Sequence, residues 1–307
     1  MKEIIVISLG GSLIVPKHID TLWINKFKEK ITKLTKKYKF VIVCGGGFVA
    51  REYITILKKG HKSKKQQSMA GIAITRMNAQ IMAQIFGKIA NEKLPFKMKQ
   101  IKNMLQKNEV VFCGALRYSS NQTSDTTAAK VAKFLKTKFI NITNVDGLYT
   151  SNPSKNKNAK LIKSISWKDF EKIAKAIKYK PGQHFVLDQK ASTIIRKNKI
   201  KTYILGKNLT NLQNLLNQKI DAPPRLKSHC LKRCSIFGCQ ENLCFLDDRH
   251  AMHDRHKKFL PKEKFLHRSL SLQTNFLCSK CRPHSKECGF RETLRHNKKF
   301  KGTTISN

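Results

Sequence analysis

Three stretches of this chain combine residue types and spacings that suit phosphate binding. The first is Gly10-Gly11-Ser12, directly after the apolar run IIVISL. Residues without a β-carbon let backbone N–H groups come close to an anion, although a lone Gly-Gly pair after a strand fits a tight turn equally well. The second is Gly45-Gly46-Gly47, which follows FVIVC and leads into a helical pattern carrying Arg51. A helix N-terminus offers unpaired N–H donors and the positive end of the helix dipole. Neither stretch has the Gly-Lys-Ser/Thr ending of a Walker A loop or the spaced glycines of a dinucleotide fingerprint. Two glycine turns on separate strands suggest two phosphate sites. The third stretch is TNVDGLYT, Thr143 to Thr150, just after the run FINI. Open α/β sheets bind ligands outside the carboxyl ends of their strands, so polar residues there are candidates; an ordinary Asp-Gly turn is the alternative.

Stepping outward, these turns need strands to carry them and helices to brace them. Apolar patterning predicts strands over 4–9, 40–44, 109–113, 138–142, 161–165 and 200–205, and helices over 21–37, 48–58, 68–91, 125–136, 167–177, 188–197 and 209–217. The closing KKFKGTTIS suits a last short strand. Such alternation predicts an α/β fold whose mainly parallel sheet is covered by helices on both faces, with right-handed crossovers. At residue 219 the composition changes: Arg occurs four times in residues 1–218 and eight times in 219–307. Residues 219–296 therefore read as an insertion into a turn, and the main domain as 1–218 plus 297–307.

The 307 residues carry 62 Lys+Arg against 19 Asp+Glu, a net charge of +43. That charge favours non-specific nucleic-acid association at low salt, but Lys spread along the whole chain also describes ordinary solvated faces. No apolar run approaches the roughly 18 residues of a membrane span, and the N-terminal run is too short for a secretory signal, so a cytoplasmic location with no membrane partner is expected. Of nine cysteines only Cys44 and Cys113 precede residue 219. Both end strand-like runs and read as reduced, buried, small apolar residues.

Taken in order, VISLGGS, VCGGGFVARE, GIAITRMNAQ, TSDTTAAKVA, ITNVDGLYTSNP and the closing KGTTI resemble the archaeal UMP kinases of the amino-acid kinase superfamily. The resemblance implies a three-layer αβα sandwich, ATP and UMP as substrates, Mg2+ carried with ATP, and a homohexamer. By similarity Gly10, Gly11, Ser12, Gly47, Arg51, Thr143, Asn144, Tyr149 and Asn152 surround ATP. Gly46, Ser68 and the stretch Gly114 to Thr126, with Thr123, Ser124, Asp125 and Thr126 in it, hold UMP, and Asp188 with Arg51 serves the transferring phosphate. The chain departs from the pattern at Ser8, where many relatives have a lysine, at Gln67-Ser68, where an aspartate commonly holds the ribose, and at Asn152, which replaces a common aspartate. The loop Leu116–Gln122 is longer than usual. A regulatory, nucleic-acid-binding protein on a weakened kinase body is the competing reading.

Within the insertion, Cys278 and Cys281 have the two-residue gap of a zinc knuckle, with His284 and Cys288 close by. Zinc takes four N or S ligands, so these are the candidate metal ligands. The spacing of the other cysteines repeats no paired arrangement. A loosely folded basic appendage and a frame-disrupted or foreign segment are the alternatives.

Overall fold

In the computed structural model the described residues are 2–120, 122–151, 153, 156–176, 186–217 and 302–306. Asn152, the insertion 219–296 and its candidate zinc ligands Cys278, Cys281, His284 and Cys288 lie outside them.

The chain order is β1 (Glu3–Leu9), α1 (Gly11–Ile14), α2 (Thr21–Leu34), β2 (Tyr38–Cys44), α3 (Gly47–Lys59), α4 (Lys64–Phe86), α5 (Met98–Lys107) and β3 (Val110–Cys113). Then follow α6 (Ser124–Leu135), β4 (Phe139–Ile142), β5 (Leu148–Tyr149), β6 (Leu161–Ile162), β7 (Ser164–Ser166), α7 (Trp167–Ala176), α8 (Gln189–Lys197), β8 (Thr202–Leu205), α9 (Leu209–Asn217) and β9 (Thr303–Ser306). The seven-stranded sheet runs β3-β2-β1-β4-β8-β9-β7, and β5 pairs with β6 in a separate ribbon. All its pairs are parallel except β8 with β9.

Burial on both faces explains the unbroken apolar runs, since a sheet covered twice has no polar side. On one face Val6, Val41, Val111, Phe139 and Ile204 pack against α5 to α8. On the other, Phe112 meets Phe86 of α4, and Phe86 meets Phe27 of α2, at ring separations of 4.8 and 6.1 Å. Phe27, Phe86 and Phe112 are buried, and each such side chain contributes roughly 1.5–3 kcal/mol. The helix α2 follows the apolar spacing Ile24, Phe27, Ile31, Leu34 and starts at Asp20, whose carboxylate accepts from Trp23 N at 3.0 Å.

Three differences from the sequence expectation have local causes. The long helix starts earlier, at a capping box between Ser63 and Gln66, and stops at Phe86 because Gly87 turns left-handed with φ +63°. Helix α5 was not foreseen: MKQIKNMLQK buries only Ile101 and Leu105, a short stripe in a polar segment. The strand expected over 161–165 is split at Lys163, its halves joining different sheets. Among the described residues no helix is long and apolar enough to cross a membrane.

Candidate active site

The strand order reverses at β1. The chain moves from β1 through β2 to β3 on one side, and through β4 to β8 on the other, and such a switch point opens a crevice at the carboxyl ends of the strands. Register brings the ends level, with Leu9 opposite Cys44 on one side and Ile142 on the other. The turns after β1, β2 and β4 therefore meet at one place.

The two glycine turns touch backbone to backbone. A β-carbon on Gly11 would lie 2.0 Å from Gly47 N, and one on Gly45 would lie 2.5 Å from Gly11 N. No side-chain movement relieves such contacts. Gly47 also has φ +68°, a left-handed conformation that glycine adopts without penalty. Gly10 N donates to Ile142 O at 2.8 Å and Phe48 N to Val15 O at 3.0 Å, which ties the turns to β4 and α1. The N-terminus of α3 opens directly at this junction, where Gly46, Gly47, Ala50 and Arg51 line the crevice at the positive end of the helix dipole.

Opposite stands the N-terminus of α6. Its cap is Thr123, whose hydroxyl accepts from Asp125 N at 3.2 Å. Asp188 caps α8, accepting from Ala191 N at 2.8 Å. The same carboxylate reaches across to α6: it accepts from Thr126 Oγ1 at 2.6 Å, Thr126 N at 3.1 Å, Thr123 Oγ1 at 2.6 Å and Thr123 N at 3.2 Å. Asp188 is 1% exposed and both oxygens are engaged. Its geometry is that of a positioning residue that joins two helix N-termini, rather than of a group free to reach a phosphate.

Asp125 is different. It lines the crevice with part of its surface open, is otherwise enclosed by protein, and accepts from Ser8 Oγ at 2.6 Å. Burial, reinforced by the nearby negative charge of Asp188, pushes its carboxyl up to about 7, against the lowering effect of hydrogen bonds from Ser8 and Thr123. Ser8 gives Asp125 a hydroxyl partner rather than a cation.

The crevice holds about 1200 Å³ of empty space, its open mouth included. Its wall includes Gly10, Gly11, Ser12, Gly46, Gly47 and Arg51 from the glycine turns and α3, Ser68 from α4, Thr123, Ser124 and Asp125 from the start of α6, Asp188, and Thr143 and Asn144 from the turn after β4. Gly114, Thr126 and Tyr149 are not on its wall. Gly114 is packed under it, where a β-carbon would lie 2.6 Å from Arg76 N, and the Thr126 hydroxyl is turned to Asp188. Tyr149 pairs with Leu161 in the small ribbon. The stretch Thr143–Thr150 thus divides: its first residues face the crevice, while Gly147 is packed on Thr303 of β9, whose Oγ1 would lie 2.6 Å from a β-carbon there.

Arg117, Tyr118 and Ser119 line the crevice from the loop after β3, within the stretch Gly114 to Thr126 that the resemblance assigns to UMP; their side chains were not singled out there. Among the described lining residues Arg51 and Arg117 are the cations. Among the described residues no cluster of His, Cys, Asp and Glu forms a metal site. Cys44 and Cys113 are buried and free, and burial pushes Cys113 up to about 12, so neither is a nucleophile.

The model of the Amino acid kinase family matches residues 3–206. The chain is 34% identical over 204 residues to the uridylate kinase of Pyrococcus abyssi (strain GE5 / Orsay), covering 66% of this chain and 90% of that protein. It is 33% identical over 220 residues to the uridylate kinase of Thermoplasma volcanium, covering 71% and 95%. Among solved structures it resembles uridylate kinase from Archaeoglobus fulgidus, with a TM-score of 0.61, 31% identity and coverage of 70% of this chain and 95% of that one.

Proposed function

Because the chain belongs to the amino acid kinase family, we propose that it is a UMP kinase, transferring the γ-phosphoryl group of ATP to UMP and so supplying UDP to pyrimidine nucleotide biosynthesis in the cytoplasm. One observation carries this reading: two glycine turns in backbone contact at the sheet's switch point, with the N-termini of α3 and α6 facing the same crevice. Two sets of amide donors side by side suit two phosphate chains end to end.

In this reading a phosphate oxygen of UMP attacks the γ-phosphorus in line. A new O–P bond forms, the bond from the γ-phosphorus to the β,γ-bridging oxygen breaks, and ADP departs with that oxygen. No enzyme group is phosphorylated. Positioning and charge stabilisation provide the catalysis. Gly10 lines the phosphate site, and the amides of Gly11, Ser12, Gly46 and Gly47 cradle the phosphates. Arg51 and Arg117 take the part that a lysine at position 8 plays elsewhere, offsetting charge on the transferring group. Ser68, Thr123 and Ser124 face UMP, Thr143 and Asn144 face ATP, and Asp188 holds α6 in place.

The donor set suits Mg2+ brought with ATP, since Asp125 is a cleft-lining carboxylate, and Mg2+ is held by phosphates with one or two carboxylates. When bound, Mg2+ neutralises charge on the β- and γ-phosphate oxygens. The protein is further read as a kinase body, 1–218 plus 297–307, interrupted by a basic Cys/His-rich segment at 219–296. Its body associates through α3, which buries only Ala50 and exposes Tyr53 and Ile56, beside exposed Met69 of α4, in a homo-oligomer read as a hexamer. The +43 charge adds a weak, salt-sensitive affinity for nucleic acid.

A coupled ADP-release assay across UMP, CMP and dUMP tests the assignment. UMP should be the preferred acceptor; equal or better turnover with carbamate or isopentenyl phosphate refutes it.

A further inference from the structure

We propose that the Thr75–Asn78 turn of α4 is a two-sided clamp that fixes the distance between the two nucleotide sites, with Thr75, Arg76 and Asn78 as positioning residues. This rests on the two-nucleotide reading above and assigns work to the ITRMNA segment, none of which the reaction itself has used.

On one side the clamp grips the loop after β3. Gly114 packs directly on the α4 backbone, with a β-carbon there reaching to 2.7 Å from Thr75 C and 2.6 Å from Arg76 N. Ala115 N donates to Thr75 Oγ1 at 3.0 Å, and that hydroxyl donates on to Ile72 O at 2.8 Å. Arg76 Nε donates to Ala115 O at 3.1 Å and its Nη2 to Leu116 O at 2.8 Å. The guanidinium is itself seated on the Phe96 ring, 4.8 Å from the centroid. A planar fork stacked on an aromatic face has little freedom left, so the two carbonyls are held in a fixed direction. The residues that follow, Arg117 and Tyr118, form the crevice wall.

On the other side the clamp grips the second glycine turn. Asn78 Nδ2 donates to Gly45 O at 2.7 Å and Gly46 O at 3.3 Å. Thr75 and Asn78 are 8% and 5% exposed. They stand three residues apart on one helix, a spacing that puts them on neighbouring parts of a single face. The loops they hold belong to different strands, β2 and β3, and α4 is a rigid spacer between them. In-line transfer tolerates little error in that spacing, because a displacement of about 1 Å can cost about 100-fold in rate.

The test uses the full chain with Thr75→Val, Thr75→Ser, Arg76→Lys and Asn78→Ala. Amide hydrogen exchange and initial-rate kinetics with UMP and MgATP are measured on each. Thr75→Val should speed exchange at 114–118 but not at 45–48, and raise KM for UMP about tenfold, the worth of one hydrogen bond, while KM for ATP stays within about twofold. Thr75→Ser should restore both. Arg76→Lys should change the same loop as Thr75→Val. Asn78→Ala should speed exchange at 45–48 alone and lower kcat. Faster exchange in both loops together, or wild-type kinetics in Thr75→Val, overturns the clamp. Should Thr75→Val fail to fold, Arg76→Lys and Asn78→Ala make the same comparison. If the variants show loop-specific exchange but the wild-type chain does not phosphorylate UMP, the kinase assignment is refuted while the hold of α4 on the two loops stands.

Discussion

Replacing Asp188 by Asn changes one atom, and the hydrogen bonds around it set the cost. The amide can point its NH2 toward Ala191 N or toward Thr123 N and Thr126 N, none of which can accept. The better orientation keeps the carbonyl oxygen facing Thr123 N and Thr126 N and strands only Ala191 N, because the Thr126 hydroxyl can rotate to accept. One stranded buried donor costs about 1–3 kcal/mol, and bonds to a neutral oxygen are weaker by about 1 kcal/mol each than bonds to a charged one. With two or three such bonds weakened, the total is about 3–6 kcal/mol. For a body of this size that lowers Tm by about 6–24 °C. Urea unfolding followed through Trp23 and Trp167, the chain's two tryptophans, reads the loss directly. Stability within about 1 kcal/mol of wild type would refute the role of Asp188 as the tie between α6 and α8, and would return it to the transferring phosphate.

Asp125 makes stability depend on pH in the opposite direction from a paired carboxylate. Its folded value of about 7 lies above the ordinary 3.8, so the native state holds its proton longer than the unfolded chain. That contribution is complete below the unfolded value and is lost as pH rises through 7. Asp125→Asn should therefore gain most on wild type at pH 8, and that advantage should shrink as pH falls and disappear only below the ordinary value of 3.8 in matched urea titrations; parallel pH profiles would count against it. Arg117→Ala should lower kcat by about 100- to 1000-fold, as loss of a donor to a developing charge does, with Tm unchanged; an unaltered kcat removes Arg117 from the reaction. Gly11→Ala should abolish activity, since its β-carbon would meet backbone at 2.0 Å. Gly87→Ala, at φ +63° with nothing within 4 Å, should cost about 1–2 kcal/mol of stability and leave kcat intact. Equal behaviour of the two variants would mean that the glycine junction is not close-packed.

How far the sequence reached depended on whether a feature was local. Strands buried on both faces announce themselves as apolar runs, and IIVISL, FVIVC and FINI each became a central strand. The glycine turns were legible for the same reason, as short motifs at strand ends. What could not be read was contact at long range. Nothing in the sequence says that the Asp188 carboxylate lies against Thr123 and Thr126, more than 60 positions away, or that Gly114 is packed beneath the crevice wall. Arg117 lay inside the stretch assigned to UMP, but among so many basic residues only the fold singles it out as a cation on the crevice wall. Helix α5 escaped because two buried residues in ten make too faint a stripe.

The position of β9 has a consequence for how the chain matures. It lies between β8 and β7, and its Thr303 hydroxyl accepts from Leu148 N at 2.7 Å while donating to Ile162 O at 2.6 Å. Until it docks, β8 presents an open edge and β7 has no strand to pair with. On a ribosome the roughly 85 residues between α9 and β9 take about 4–17 s to make at about 5–20 residues per second, so a nascent chain waits that long with its sheet ajar. A message cut short within that stretch yields a body carrying every glycine turn yet lacking the strand that seals it, a form suited to edge-to-edge aggregation and to capture by chaperones.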